Sequence, residues 1–291
     1  VVTPGYLAFH PDPKKPEHDL PVGACDSHCH VFGPETIFPF AEGSTYRPVD
    51  ASKETLAERH RFLGIDRAVI VQASCHGTDN SAMLDAIASN PLKYRGVAVV
   101  SEEIDEETLS NMHTQGVRGV RFNFVKRRGG AQPLSVYRTI LAKIETLGWH
   151  VIVYFDAEDL TDLEPFLREI PVPVIIDHMG RVPVEEGVSS HAYEMLSKLM
   201  DRDEKFFTKI SCPERLSKTG PPYRDVDEVA GDLLKNWPDR ILWGTDWPHP
   251  NMKSHMPDDG QLVDRFMSIC PDEGLRKKVL IETPDRLYFG D

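Results

Sequence analysis

Short apolar runs recur along the chain, at 23–32, 67–73, 94–100, 117–124, 150–155, 172–178, 206–211 and 241–247. Each is too short for a helix of ordinary length and is rich in Val, Ile or aromatic residues. Each therefore predicts a strand buried on both faces. Amphipathic stretches fill the gaps, at 52–63, 79–89, 105–115, 159–169, 191–201 and 225–236. Another places Val136, Ile140, Ile144 and Leu147 on one helical face and ends at Gly148, a C-cap. Eight strands alternating with helices in 291 residues predict a (β/α)8 TIM barrel. The rival is a doubly wound open sheet, but no Gly-rich phosphate loop follows the first strand. Residues 1–22 hold several prolines and mixed charges without the apolar centre of a signal peptide, and read as an N-terminal arm. Residues 23–291 contain no linker or low-complexity segment and read as a single barrel domain.

Charge removes whole classes of function. Lys and Arg number 33 against 46 Asp and Glu, a formal net charge of −13. Nucleic acid and anionic membrane surfaces both call for a basic face, so neither is an expected partner. No apolar run approaches the roughly 18 residues of a membrane-spanning helix. The five cysteines are odd in number, scattered and without CxxC pairs, which predicts a reducing, cytoplasmic setting.

A barrel carries its chemistry at the C-terminal ends of its strands. Strand one ends in Asp26, His28 and His30; strand two in Ser74 and His76; strand four in Arg121 and Asn123. Strand five gives Tyr154 and Asp156, strand six Asp177 and His178, strand seven Ser211 with Arg215 beyond it. Strand eight gives Asp246, then His249 and Asn251. Residues two apart on a strand share a face, so both imidazoles of His28-Cys29-His30 can face the axis. Such a pair binds a metal or polarises a carbonyl, unless both rings are merely satisfied at a strand end. Asp246 can take a proton from water, or can cap a turn before Pro248. Arg121, Arg127, Arg128, Arg181 and Arg215 fall at or beyond the ends of strands four, six and seven. Arg grips carboxylates bidentately, so these residues predict an anionic ligand focused into a locally positive site. Surface ion pairing is the other reading for Arg128 and Arg181. A core ring is the other reading for Tyr154, and loop shaping for Ser74, His76 and His249.

The string Asp26-Ser27-His28-Cys29-His30, a strand-six His178 and a strand-eight Asp246 resemble the amidohydrolase superfamily. Segments 25–34, 69–80, 118–124, 176–181 and 243–251 resemble, more closely, its 2-pyrone-4,6-dicarboxylate lactonase family, with the likeness running from about Gly23 to Phe289. That resemblance implies reversible hydrolysis of a pyrone ring ester to 4-oxalomesaconate or its enol, in the breakdown of lignin-derived aromatics. It implies that Asp246 activates water while His28, His30 and His178 polarise the carbonyl. It implies substrate contacts from Tyr46, Ser74, Arg121, Arg127, Tyr154, Arg215 and Asn251. It also implies that no metal is required. Strand four offers Arg121 and Asn123 and strand five Tyr154, which disfavours a binuclear centre; a single zinc would fall to His28, His30, His178 and Asp246. Three alternatives stand beside it: a zinc-dependent hydrolase of a related anionic lactone such as 4-sulfomuconolactone, a metal-dependent decarboxylase of the same superfamily, and a barrel that binds an anion without turnover.

Overall fold

The computed structural model describes residues 2–125 and 131–290. Strands β1 (Cys25–Cys29), β2 (Arg67–Val71), β3 (Tyr94–Ala98), β4 (Val117–Asn123), β5 (His150–Tyr154), β6 (Val174–Ile176), β7 (Phe206–Ile210) and β8 (Ile241–Trp243) form one parallel sheet in sequence order. The order β1 to β8 excludes the doubly wound alternative, whose strand order reverses at a switch point. The seam between the first and last strands is closed just past β8. The Asp246 N–H donates to the His28 carbonyl at 2.8 Å, and the His30 N–H to the Trp247 carbonyl at 2.8 Å. Gly244 permits this closure, because a Cβ there would lie 2.6 Å from His28 Cβ and 2.7 Å from its backbone N.

The α-helices among the described residues are α1 (Lys53–Leu63), α2 (Ser81–Ser89), α3 (Glu106–Thr114), α4 (Leu134–Ile144), α5 (Leu160–Glu169), α6 (His191–Arg202), the single turn α7 (Pro213–Leu216), α8 (Asp227–Asn236), α9 (Asp259–Ile269) and the short α10 (Glu273–Lys277). Several begin where the sequence offers a side-chain cap. Ser52, Asp105, Ser190 and Asp258 accept the N–H of the third residue on, satisfying donors the helix leaves orphaned. Helix α9 is absent from the expected set. Its buried stripe of Leu262, Val263, Phe266 and Met267 nonetheless has helical spacing.

Burial divides into two layers. Val69, Val71, Val97, Ile152, Ile175, Phe207 and Leu242 fill the barrel interior, and a larger cluster lies between strands and helices. Cys25 belongs to the inner layer and Cys29 to the outer, although a spacing of four should put both on one face. The register with β2 shifts between Asp26 and Cys29, and this bulge reverses the alternation. Asp26 consequently faces outward, where it accepts from His60 of α1 at 3.1 Å and from the Thr245 N–H at 3.0 Å. His28 turns inward. Ahead of β1, the Leu7 N–H donates to the Met252 carbonyl, Phe9 packs on Trp247, and the Lys14 N–H donates to Asp258. All five cysteines are buried and free. No helix among the described residues is long and apolar enough to cross a membrane.

Candidate active site

Where β6, β7 and β8 end, the chain turns sharply. His178, Cys212 and Asp246 adopt left-handed backbone conformations, with φ of 52°, 55° and 61°. For a non-glycine residue such a conformation costs about 1–2 kcal/mol. The turns carry His178 and Asp246 into the barrel mouth instead of continuing along their strands. His30, Tyr46, Ser74, Arg121, Asn123, Tyr154, His178, Arg215 and Asp246 line one cavity there. His28 lies directly beneath this lining, fully buried.

Asp246 is the hub. Its Oδ1 lies 3.2 Å from Nε2 of His30 and 3.5 Å from Nε2 of His28. Its Oδ2 accepts from Nε of Arg215 at 3.2 Å. Burial by itself would raise the pKa of this carboxyl, but Arg215, the His30 hydrogen bond and His178 together hold it well below the ordinary range. Asp246 is therefore an anion in the resting site. Arg215 is held in turn, its Nη2 donating to the Pro250 carbonyl at 2.6 Å.

The histidines differ in their partners. His30 Nδ1 meets the Val71 carbonyl at 2.7 Å, and a carbonyl only accepts, so this nitrogen carries a proton. His178 Nδ1 pairs with Ser211 Oγ at 2.7 Å. Burial lowers the His178 pKa to about 3 against the pull of Asp177 and Asp246, so its ring is neutral at physiological pH. The rings of His28 and His178 stand 4.7 Å apart, and Tyr154 meets His178 edge-on at 5.4 Å.

A second buried ion cluster lies under the first. Arg121 donates through Nε to Asp177 Oδ2 at 2.9 Å and stacks its guanidinium over the Tyr154 ring at 4.7 Å. Lys209 of β7 has no exposed side-chain surface; its Nζ is 3.0 Å from His28 Nδ1 and 3.2 Å from Asp177 Oδ1. Burial raises the Asp177 pKa in isolation, but Lys209, His28 and Arg121 overcome this and keep the group ionised. Lys209 is absent from the expected site, and Asp177, expected at the end of strand six, has no role assigned to it. Lys209 had a signal in the sequence: a lysine inside the apolar run Phe206-Phe207-Thr208-Lys209-Ile210, two residues from inward-facing Phe207.

The remaining candidates fall into place around these groups. Ser74 Oγ donates to the Tyr46 hydroxyl at 3.5 Å on the cavity wall. Asn251 is not a lining residue, and neither polar atom of its buried amide has a hydrogen-bond partner among the described residues. Arg127 and Arg128 lie outside the described residues. Arg181 binds Asp156 at 2.8 Å and the Tyr154 hydroxyl at 3.0 Å, bracing Tyr154. His76 packs between Phe40 and Phe32 and shapes a loop. His249 is fully buried between Asp259 at 2.8 Å and Glu214 at 3.4 Å. Burial opposes its charge, yet these two carboxylates raise its pKa to about 10, so it is a cationic clamp joining α7 to α9.

His28, His178 and Asp246 also present donor atoms within 4.8 Å of one another, and His28 Nε2 has no hydrogen-bond partner among the described residues. Two imidazoles and a carboxylate are a donor set that suits a catalytic zinc.

Comparison with known proteins agrees with this geometry. The amidohydrolase family model matches residues 25–290. A 2-pyrone-4,6-dicarboxylate hydrolase of Comamonas testosteroni is 49% identical over 297 residues, covering 99% of this chain and 97% of the relative. A 4-sulfomuconolactone hydrolase of Rhizobium radiobacter is 36% identical, covering 92% and 91%. Among solved structures, a probable 2-pyrone-4,6-dicarboxylic acid hydrolase from Acinetobacter baumannii, with citric acid bound, superimposes with a TM-score of 0.80 at 28% identity, covering 91% of this chain and 99% of that one. The chain belongs to the amidohydrolase family.

Proposed function

We propose that this protein is a lactonase that hydrolyses the ring ester of 2-pyrone-4,6-dicarboxylate, reversibly, to 4-oxalomesaconate or its enol tautomer in the catabolism of lignin-derived aromatics. The observation that carries the reading is the meeting, in one small cavity, of an ionised Asp246 with His30, His178, Arg121 and Arg215, His28 lying just below. The 49% identity to a hydrolase of that compound over almost the whole chain points the same way.

In this reading Asp246 takes a proton from water as the oxygen attacks the lactone carbonyl. His28, His30 and His178 polarise the carbonyl as its oxygen gains negative charge. The ring C–O bond then breaks, and the leaving oxygen departs as an enolate, a good leaving group. Arg121 and Arg215, with Arg127, hold the carboxylates, and Tyr46, Ser74 and Tyr154 orient the ring. Two guanidiniums in a chain of net charge −13 make the mouth a local attractor for anions.

A metal is not required in this reading, because the ester is already activated and three imidazoles and two arginines surround it. If an ion binds, His28, His178 and Asp246, with His30 beside them, are the residues to hold it. It would supply Lewis-acid polarisation of the carbonyl. The 36% identity to a 4-sulfomuconolactone hydrolase favours one second reading, a zinc-dependent hydrolase of a sulfonated lactone. We further infer that residues 1–22 are an arm bracing a single catalytic domain, 23–291, and that the enzyme works in the cytoplasm, in keeping with its five free cysteines.

The test offers metal-analysed protein 2-pyrone-4,6-dicarboxylate and follows loss of the pyrone absorbance with and without chelator. Rapid, chelator-insensitive loss is expected. Inertness toward the pyrone, with zinc at one per chain and turnover of 4-sulfomuconolactone, would replace this reading with the second.

A further inference from the structure

One buried charged group has no part in the chemistry above. Lys209 sits inside the barrel with no exposed side-chain surface, and its ammonium reaches the underside of His28. A lysine in such a place loses the hydration of its charge, so a neighbour must compensate. Asp177 does so at 3.2 Å.

The consequence falls on the His28 ring. Among the described residues, Nδ1 of His28 lies near Lys209 Nζ at 3.0 Å and Asp177 Oδ1 at 3.2 Å. The ammonium has hydrogens to give and no lone pair to offer, so toward Nδ1 it is a donor alone. The lysine contact has hydrogen-bond geometry; the aspartate contact is an ion-pair approach without it. Arg121 Nε holds the other carboxylate oxygen of Asp177, Oδ2, at 2.9 Å, while Oδ1 lies 3.2 Å from both Lys209 Nζ and His28 Nδ1. On its other edge, His28 Nε2 faces the carboxylate of Asp246 at 3.5 Å. A lone pair there would meet a negative charge, whereas an N–H is attracted to it.

We propose that Lys209 is a positioning residue: its ammonium donates to Nδ1 of His28 and fixes the ring as the Nε2–H tautomer, so that His28 is a hydrogen-bond donor into the floor of the site. The two histidines of the pair are then unlike. His30 spends Nδ1–H on the Val71 carbonyl and donates through Nε2 only as an imidazolium. His28 donates through Nε2 while neutral. In this tautomer His28 has no lone pair at Nε2, so a divalent ion would have to displace that proton to be bound by it.

The inference rests on the reading of His28 as a group that polarises the lactone carbonyl, but its test does not need turnover. In protein labelled with 15N-histidine, the His28 signals, assigned by their loss in His28→Gln, should show Nε2 protonated and Nδ1 bare, without substrate. A resting enzyme with Nδ1–H instead would overturn the proposal, even if it hydrolyses the pyrone. In Lys209→Met the ring should switch to Nδ1–H, with Asp177 Oδ1 as acceptor. Pyrone kcat should then fall roughly 10²–10³-fold, the loss typical of one oxyanion donor, with KM little changed. Retention of the Nε2–H tautomer in Lys209→Met would equally overturn it. If that variant does not fold, the wild-type spectrum still decides. A chain inert toward the pyrone but carrying Nε2–H would sink the proposed function and leave the assignment of the tautomer intact.

Discussion

Replacing Arg215 by Met tests the electrostatics of the site most directly. Arg215 is 14% exposed in its side chain and touches Asp246 Oδ2 through Nε at 3.2 Å and Nη2 at 3.1 Å. It also satisfies the Pro250 carbonyl at 2.6 Å. Met fills a similar volume but leaves a buried carboxylate with its main counter-charge gone. Removing one partner of a buried pair costs about 3–5 kcal/mol, and the lost Pro250 bond falls within that range. The pH dependence has a definite sign. The Asp246 pKa is depressed in the folded state, so its contribution to stability is present above the unfolded value of about 3.9 and is lost as pH falls through the folded value. In Arg215→Met the folded pKa rises toward or past that value, so the destabilisation is full at neutral pH and shrinks in acid. The same change moves the acid limb of kcat/KM to higher pH, because the base must be ionised, while the plateau falls from lost substrate binding. Urea denaturation at pH 7 and in acid, with pH–rate profiles of both proteins, reads all three. An acid limb that stays in place, with a stability loss equal at every pH, would refute the argument that Arg215 sets the charge state of Asp246.

Other perturbations separate the remaining roles. Asp246→Asn should abolish turnover while binding of the pyrone, followed by calorimetry, persists; parallel loss of binding and folding would make Asp246 a scaffold residue. Arg121→Met should raise KM by roughly 10- to 100-fold, the equivalent of one charge-assisted hydrogen bond of about 1.5–3 kcal/mol, with a smaller effect on kcat. Arg127→Met should behave similarly, and an unchanged KM would remove either residue from the substrate's reach. Gly244→Ala should lower stability by about 1–3 kcal/mol and displace His28, since its Cβ would press on the backbone of β1. A thermal midpoint and turnover both equal to wild type would show that the seam yields.

The chain's own pattern determined the barrel. Eight apolar runs correspond to eight strands, and the residues named at their ends from sequence, His30, Ser74, Arg121, Tyr154, His178, Arg215 and Asp246, line one cavity. Periodicity and strand-end position are local properties, so they are legible one segment at a time. Three features were not. The bulge in β1 turns Asp26 out to His60 and His28 in toward Lys209, whereas unbroken alternation would have put Asp26, His28 and His30 on one face. The left-handed turns at His178 and Asp246 are set by the packing around them, since neither residue type favours that conformation enough to announce it. The pairing of Lys209 with His28 joins residues 181 positions apart. Charge and hydrogen-bond partners are decided by distances of about 3 Å, and only closure of the whole barrel brings such atoms together.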